Sequence, residues 1–451
     1  MTYHAQQDAG QCPAYQPAHN GPLPIHGPTF RDNPHDTYER LRTQGPVAPV
    51  EIEPGIWGYL AVSFRAAMYL LRNNPQRFRK DPNHWEALRR GDVPPTSPAL
   101  MMMGPRDNAL WKDGDEHLRL RGALTSALGT VDTHQLTRTV TEIADHLIDK
   151  IAPIGTADLV AQYCDVLPML TVNAMYQSPP AIGDQIVRTV TRLFLAGPDA
   201  AEANAALEQA CLELIRHKRN YPGRDVVTSL IAAGLTDREL VPTLILLFGA
   251  AGPPPAKLIA SGLLRILTDD RFAGDVHTGV HPVSAALDDV LWQDPPVPNY
   301  CPLYAQGLQV VEGVQVQPGI PILVSFAAAN ADPALTLGLP PGARTGNRGH
   351  LAFSAGAHAC AAPDLARVIC ETAVERALDR LPSLTLAIPA DQVPPMPGTF
   401  IAGPAALPVH FQRAAPTPPD PEGPQQHDHA RHPRAPRLLR SLALPPRPDR
   451  R

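Results

Sequence analysis

The sequence predicts a mainly α-helical fold with a minor β region, and three features lead there. Apolar residues recur at helical spacing through most of the chain between residues 30 and 412. One stretch, Gln309 to Val324, alternates instead and carries Gly313 and Gly319, the pattern of strand, turn and strand. Both ends are too polar and proline-rich to bury a core, which leaves one large folded region.

Taken in order, residues 1–29 read as a flexible arm, without the basic and apolar regions of a signal peptide. His117–Leu128 is predicted as a helix with basic residues on one side, followed by Leu136–Ile151 and Ala201–Arg219. Thr236 and Glu239 form a capping-box pattern that opens a helix to Phe248. The apolar run Leu240–Gly252 is too short to span a bilayer and meets Pro253, Pro254 and Pro255, where the helix should break. Val283–Gln293 is a helix stopped by Asp294-Pro295-Pro296. The last helix, Pro363 to Leu381, carries Leu365, Val368, Ile369 and Ala373 along one face. Residues 413–451 hold ten prolines and eight arginines, so a disordered tail is expected.

A net charge of −5 gives no electrostatic reason for a nucleic-acid partner. Six cysteines (Cys12, Cys164, Cys211, Cys301, Cys360, Cys370) without a CxxC pair argue against a disulfide framework and suit a reducing cytoplasm. No phosphate-cradling glycine loop points to nicotinamide or flavin. His427, His429 and His432 could chelate a metal, but a solvated tail explains them better.

The most informative segment is Phe353-Ser354-Ala355-Gly356-Ala357-His358-Ala359-Cys360-Ala361-Ala362-Pro363. Cys360 stands in a small-residue loop just before a helix N-terminus, where backbone N–H groups and the helix dipole favour a thiolate. Small neighbours leave room for a flat ligand, and His358 could donate to an anionic group on it. A lone cysteine is more often an inert core residue.

Here the chain resembles the cytochrome P450 superfamily, whose signature Phe-x-x-Gly-x-His/Arg-x-Cys-x-Gly is matched by Phe353, Gly356, His358 and Cys360. Ser354 replaces a common glycine and Ala362 the final one. His117 and Arg121, one helical turn apart, are similar to the family pair that binds the haem propionates. Asn330-Ala331-Asp332-Pro333 resembles the Asn-Arg-Asp-Pro turn without its arginine. The likeness runs from about Phe30 to Phe411 and implies a P450 fold holding haem b, with Cys360 as the iron ligand. A thiolate ligand on haem favours O–O cleavage.

Departures are equally specific. Ala250-Ala251-Gly252-Pro253-Pro254-Pro255 aligns with Ala-Gly-x-Asp/Glu-Thr, so prolines replace the acid and alcohol that relay protons to dioxygen, while Ala251 and Gly252 would line the dioxygen groove. Asp289-Val290-Leu291-Trp292 stands where Glu-x-x-Arg is expected, and indole packing could replace that ion pair. Leu303 occupies a place where the family often has a propionate-binding arginine. Leu267–Gly274 and Ala286–Pro296 are similar to actinobacterial cytochromes of conservon operons, which lack Glu-x-x-Arg and sit beside signalling proteins.

The resemblance thus implies a monooxygenase-like oxidoreductase, inserting oxygen into a small apolar substrate with electrons from a ferredoxin and ferredoxin reductase, off the membrane. The alternatives are a non-catalytic haem-binding regulator with conservon partners, or haem chemistry without dioxygen activation, such as peroxide use or isomerisation. Arg367, Arg376 and Arg380 read equally as a ferredoxin-docking face or an ordinary solvent face.

Overall fold

The computed structural model describes residues 21–194, 200–269, 272, 283–335, 337, 346–396 and 398–416. Most of the tail, with His427, His429 and His432, lies outside the described residues, as does much of the segment Leu267–Gly274.

Helices dominate, as the periodicity predicts. Gly114–Leu128, Thr133–Ile151, Ala200–Asn220, Asp237–Ala251, Val283–Gln293 and Pro363–Arg380 fall within a few residues of their expected ranges. Local chemistry sets several starts. Asp132 accepts from the Gln135 N–H at 2.7 Å, and Thr236 and Glu239 complete the expected capping box.

A six-stranded mixed sheet stands against these helices, in the order Leu23–Pro24, Val47–Glu53, Ile56–Ala61, Pro321–Ser325, Asn299–Ala305, Phe78–Arg79. The expected strand–turn–strand resolves into two parts. Gln309–Val311 and Val314–Val316 form a hairpin whose turn residues Glu312 and Gly313 both have positive φ. Pro321–Ser325 joins the main sheet, buried along its whole length. Part of the segment expected to be a flexible arm is ordered: Leu23 and Pro24 pair with Val50 and Glu51, and Ile25 is completely buried.

One hydrophobic cluster joins Thr133–Ile151, Pro253–Thr268, Val283–Gln293 and Pro363–Arg380. A second joins Gly114–Leu128, Ala200–Asn220 and Asp237–Ala251. Arg376 and Arg380 do not form a free basic face, because both pair with Asp145 and Arg380 also with Asp149. Arg367 is buried. The docking and solvent readings are therefore corrected for Arg367, while Arg376 and Arg380 remain partly exposed in their ion pairs.

The long apolar helix breaks where the prolines require. Asp237–Ala251 ends, Gly252 leaves helical geometry at φ −98° and ψ −85°, and Pro253–Thr268 begins. Pro253, Pro254 and Pro255 occupy the first three positions of the new helix, where N–H groups have no intrahelical acceptor. The first bond that helix needs is made by the Ala256 N–H to the Gly252 carbonyl, at 3.1 Å. The interior-proline cost is thereby avoided. Together Asp237–Thr268 is long and apolar enough to cross a membrane, but over half of its most apolar window is buried in the core.

Candidate active site

Cys360 sits two residues before Ala362, which immediately precedes the helix Pro363–Arg380. Its N–H donates to the Phe353 carbonyl at 2.8 Å, closing the loop, and its sulfur accepts from the Ala362 N–H at 3.5 Å. Gly356 holds φ +73°, and a Cβ there would meet the Leu71 carbonyl oxygen at 2.2 Å, so only glycine fits. Ser354 has φ +61°, which explains why a glycine suits its position. Ala362 has φ −144°, which needs no glycine.

Cys360 is an exposed residue of its loop, although protein surrounds it at longer range. That enclosure pushes the thiol pKa up, while the Ala362 N–H and the nearby Arg121 guanidinium oppose the rise. A cationic partner at the sulfur would complete the stabilisation of a thiolate.

The imidazole of His358 in this loop packs against that of His117, with centroids 4.0 Å apart and ring planes tilted by 39°. Both Nε2 atoms are buried without a hydrogen-bond partner. Burial holds both pKa values below the ordinary histidine range, with Arg121 and Lys80 adding to the effect at each ring. Two orphaned nitrogens beside a guanidinium are what a pair of carboxylates would satisfy. The donor set therefore fits haem: a sulfur in a loop shaped by Gly356, with His117, Arg121 and His358 as the groups that would hold the propionates. Ala251 and Gly252 lie at the helix break. Ala251 borders the same hydrophobic cluster as Ala361, Ala362 and Leu365, and a Cβ at Gly252 would meet Met169 Sδ at 2.4 Å.

Against this geometry the comparisons are consistent. The chain is 30% identical over 402 residues to "Mycinamicin IV hydroxylase/epoxidase" of Micromonospora griseorubida, covering 85% of this chain and 96% of the relative. It is 28% identical over 402 residues to "Cytochrome P450 monooxygenase PikC" of Streptomyces venezuelae, covering 86% and 93%. The chain belongs to the cytochrome P450 superfamily. Among solved structures, CYP154C4 from Streptomyces sp. ATCC 11861 superposes with a TM-score of 0.79 at 25% identity, covering 87% of this P450 and 98% of that chain. No family model matches the sequence. Superfamily membership makes this P450 an oxidoreductase of the monooxygenase type and implies a haem cofactor.

Two features of the site escaped the sequence. Asp288, not Asp289, supplies a buried carboxylate, and it accepts from Arg367 Nη1 at 2.5 Å. Arg348 approaches its other oxygen at 3.5 Å, and Arg367 Nη2 lies 3.4 Å from His350 Nε2. Trp292 is buried as expected and donates to the Asn347 carbonyl at 2.6 Å. Asn330 bridges the same region, donating to the Leu291 carbonyl and accepting from the Leu351 N–H. The second missed feature is Lys80, fully buried and near enough to His117 and His358 for its charge to act on both rings. Nothing in its local sequence signals this, since Lys80 follows a strand of two residues.

Proposed function

We propose that this P450 is a cytoplasmic haem-b monooxygenase that inserts oxygen into a small apolar organic substrate. Its electrons would come from a separate ferredoxin and ferredoxin reductase. The observation that carries this reading is the Cys360 loop together with two imidazoles in tilted contact, both with orphaned Nε2 atoms. Cys360 would ligate the iron. His117, Arg121 and His358 would hold the propionates. Phe353 and Gly356 shape the loop, the first through its carbonyl and the second by lying flat on Leu71. When bound, haem supplies the activation of dioxygen, which a thiolate ligand promotes. Ala251 and Gly252 would line the groove for oxygen. Pro253 and Pro254 hold no side-chain proton, so proton delivery falls to water or a substrate hydroxyl.

A reduced carbon-monoxide difference spectrum of the full chain tests this. The Soret band should fall at the long wavelength that gives the superfamily its name, and Cys360→Ala should abolish it. A colourless protein after hemin reconstitution, or a spectrum unmoved by Cys360→Ala, overturns the reading.

A second reading is favoured by one observation, the prolines at the acid and alcohol positions. In it the chain binds haem without activating dioxygen, either as a regulator beside conservon signalling proteins or by using peroxide or isomerising its substrate. Turnover with ferredoxin and reductase supports the first reading. Turnover with peroxide alone, or none with either, supports the second.

A further inference from the structure

Leu303 is buried on the strand Asn299–Ala305 and brings no charge to the place where an arginine was expected. The neighbouring strand runs antiparallel, with Phe78 opposite Ala305 and Arg79 opposite Tyr304. That ladder ends at Arg79, and Lys80 is the next residue along the chain, as Leu303 is the residue before Tyr304 on the facing strand. The cation missing from one strand is thus carried by the residue that follows its neighbour.

Lys80 is completely buried. A buried ammonium is costly unless its surroundings are arranged for it, and here they are. Its Nζ lies 5.3 Å from the Trp111 ring centroid and 5.9 Å from that of Tyr300, within cation–π range of both. The backbone is fixed as well: the N–H groups of Lys80 and Asp81 donate to Asp113 Oδ2 at 2.8 and 3.2 Å. The other oxygen of Asp113 accepts from Asn74 Nδ2 at 2.7 Å. Asp113 immediately precedes the helix Gly114–Leu128 that carries His117 and Arg121. Lys80 is therefore clamped to the start of the helix that presents the other propionate partners. Its charge acts on both imidazoles.

We propose that Lys80 is a propionate-binding residue of this P450, transposed across the strand pair from the position of Leu303. Arg121 and Lys80 then offer one fixed positive charge for each of the two carboxylates, and the imidazoles of His117 and His358 supply the nitrogens between them. The proposal rests on the haem reading of the Cys360 site.

The test titrates the full-length apoprotein, wild type and Lys80→Met, with hemin and with hemin dimethyl ester, following the Soret band. The ester removes the carboxylate charge and leaves the ring unchanged. Wild type should prefer hemin, and Lys80→Met should lose about tenfold or more in hemin affinity, the scale of a charge-assisted hydrogen bond. Ester affinity should stay as in wild type, and Lys80→Arg should keep the preference. Lys80→Gln repeats the comparison if methionine is not tolerated. Unchanged hemin affinity in both uncharged variants, or equal losses for hemin and ester, overturns the role of Lys80 alone. Wild-type protein that takes up no hemin overturns the haem reading and this proposal together.

Discussion

At residue scale the cysteine loop shows how a backbone angle assigns chemistry to sequence positions. Three positions of the signature region commonly carry glycine, and this chain keeps one, Gly356. The retained glycine is the one with no space for a Cβ. Ala362 adopts an ordinary negative φ, so its methyl costs no backbone strain. Ser354 is different, because a left-handed φ of +61° is costly for any residue with a Cβ, and its buried Oγ finds no partner. Ser354→Gly should therefore stabilise the protein by about 1 kcal/mol. Denaturant unfolding of the two proteins checks this, and a destabilised variant would show that Ser354 has a role the backbone does not reveal.

At element scale the decisive feature is the broken helix. A proline triplet is destructive inside a helix and nearly free at its first turn, so the chain begins a new helix at Pro253. Gly252 absorbs the change of direction against Met169 and the Phe248 carbonyl. The new helix therefore starts with no acid or alcohol side chain at Pro253 and Pro254. Introducing Pro253→Glu together with Pro254→Thr should raise the fraction of electrons recovered in oxygenated product, measured as product formed per reductant consumed. Unchanged coupling would mean that protons already reach the site by a route independent of this turn.

At the scale of the whole molecule, a buried network ties together parts of the chain that are far apart. Asp288 on the helix Val283–Gln293 meets Arg348 from the loop before the cysteine and Arg367 from the helix after it. Asn330 joins the same helix to Leu351. The Asp288 and Arg367 side chains are both less than about a tenth exposed, which makes loss of one partner expensive. Asp288→Asn should lower unfolding stability by about 3 kcal/mol, the cost of leaving a guanidinium buried without its counter-charge. Asp289→Asn, whose carboxylate is 3.5 Å from the partly exposed Arg265, should cost less, about 1 kcal/mol or below. Equal effects for the two variants would show that the buried pair does not brace the site.

Six of the helices, the Thr236–Glu239 capping box, the break at the prolines and the cysteine loop were legible in the sequence, because each depends on residues within a few positions of one another. The pairing of His117 and Arg121 belongs with them, since four-residue spacing alone puts both on one helix face. Their packing partner His358, the Asp288–Arg367 pair and the burial of Lys80 were decided only in three dimensions. Each depends on which distant segment the packing brings alongside, and a charge sitting on a short strand looks the same in sequence whether it meets water or the interior.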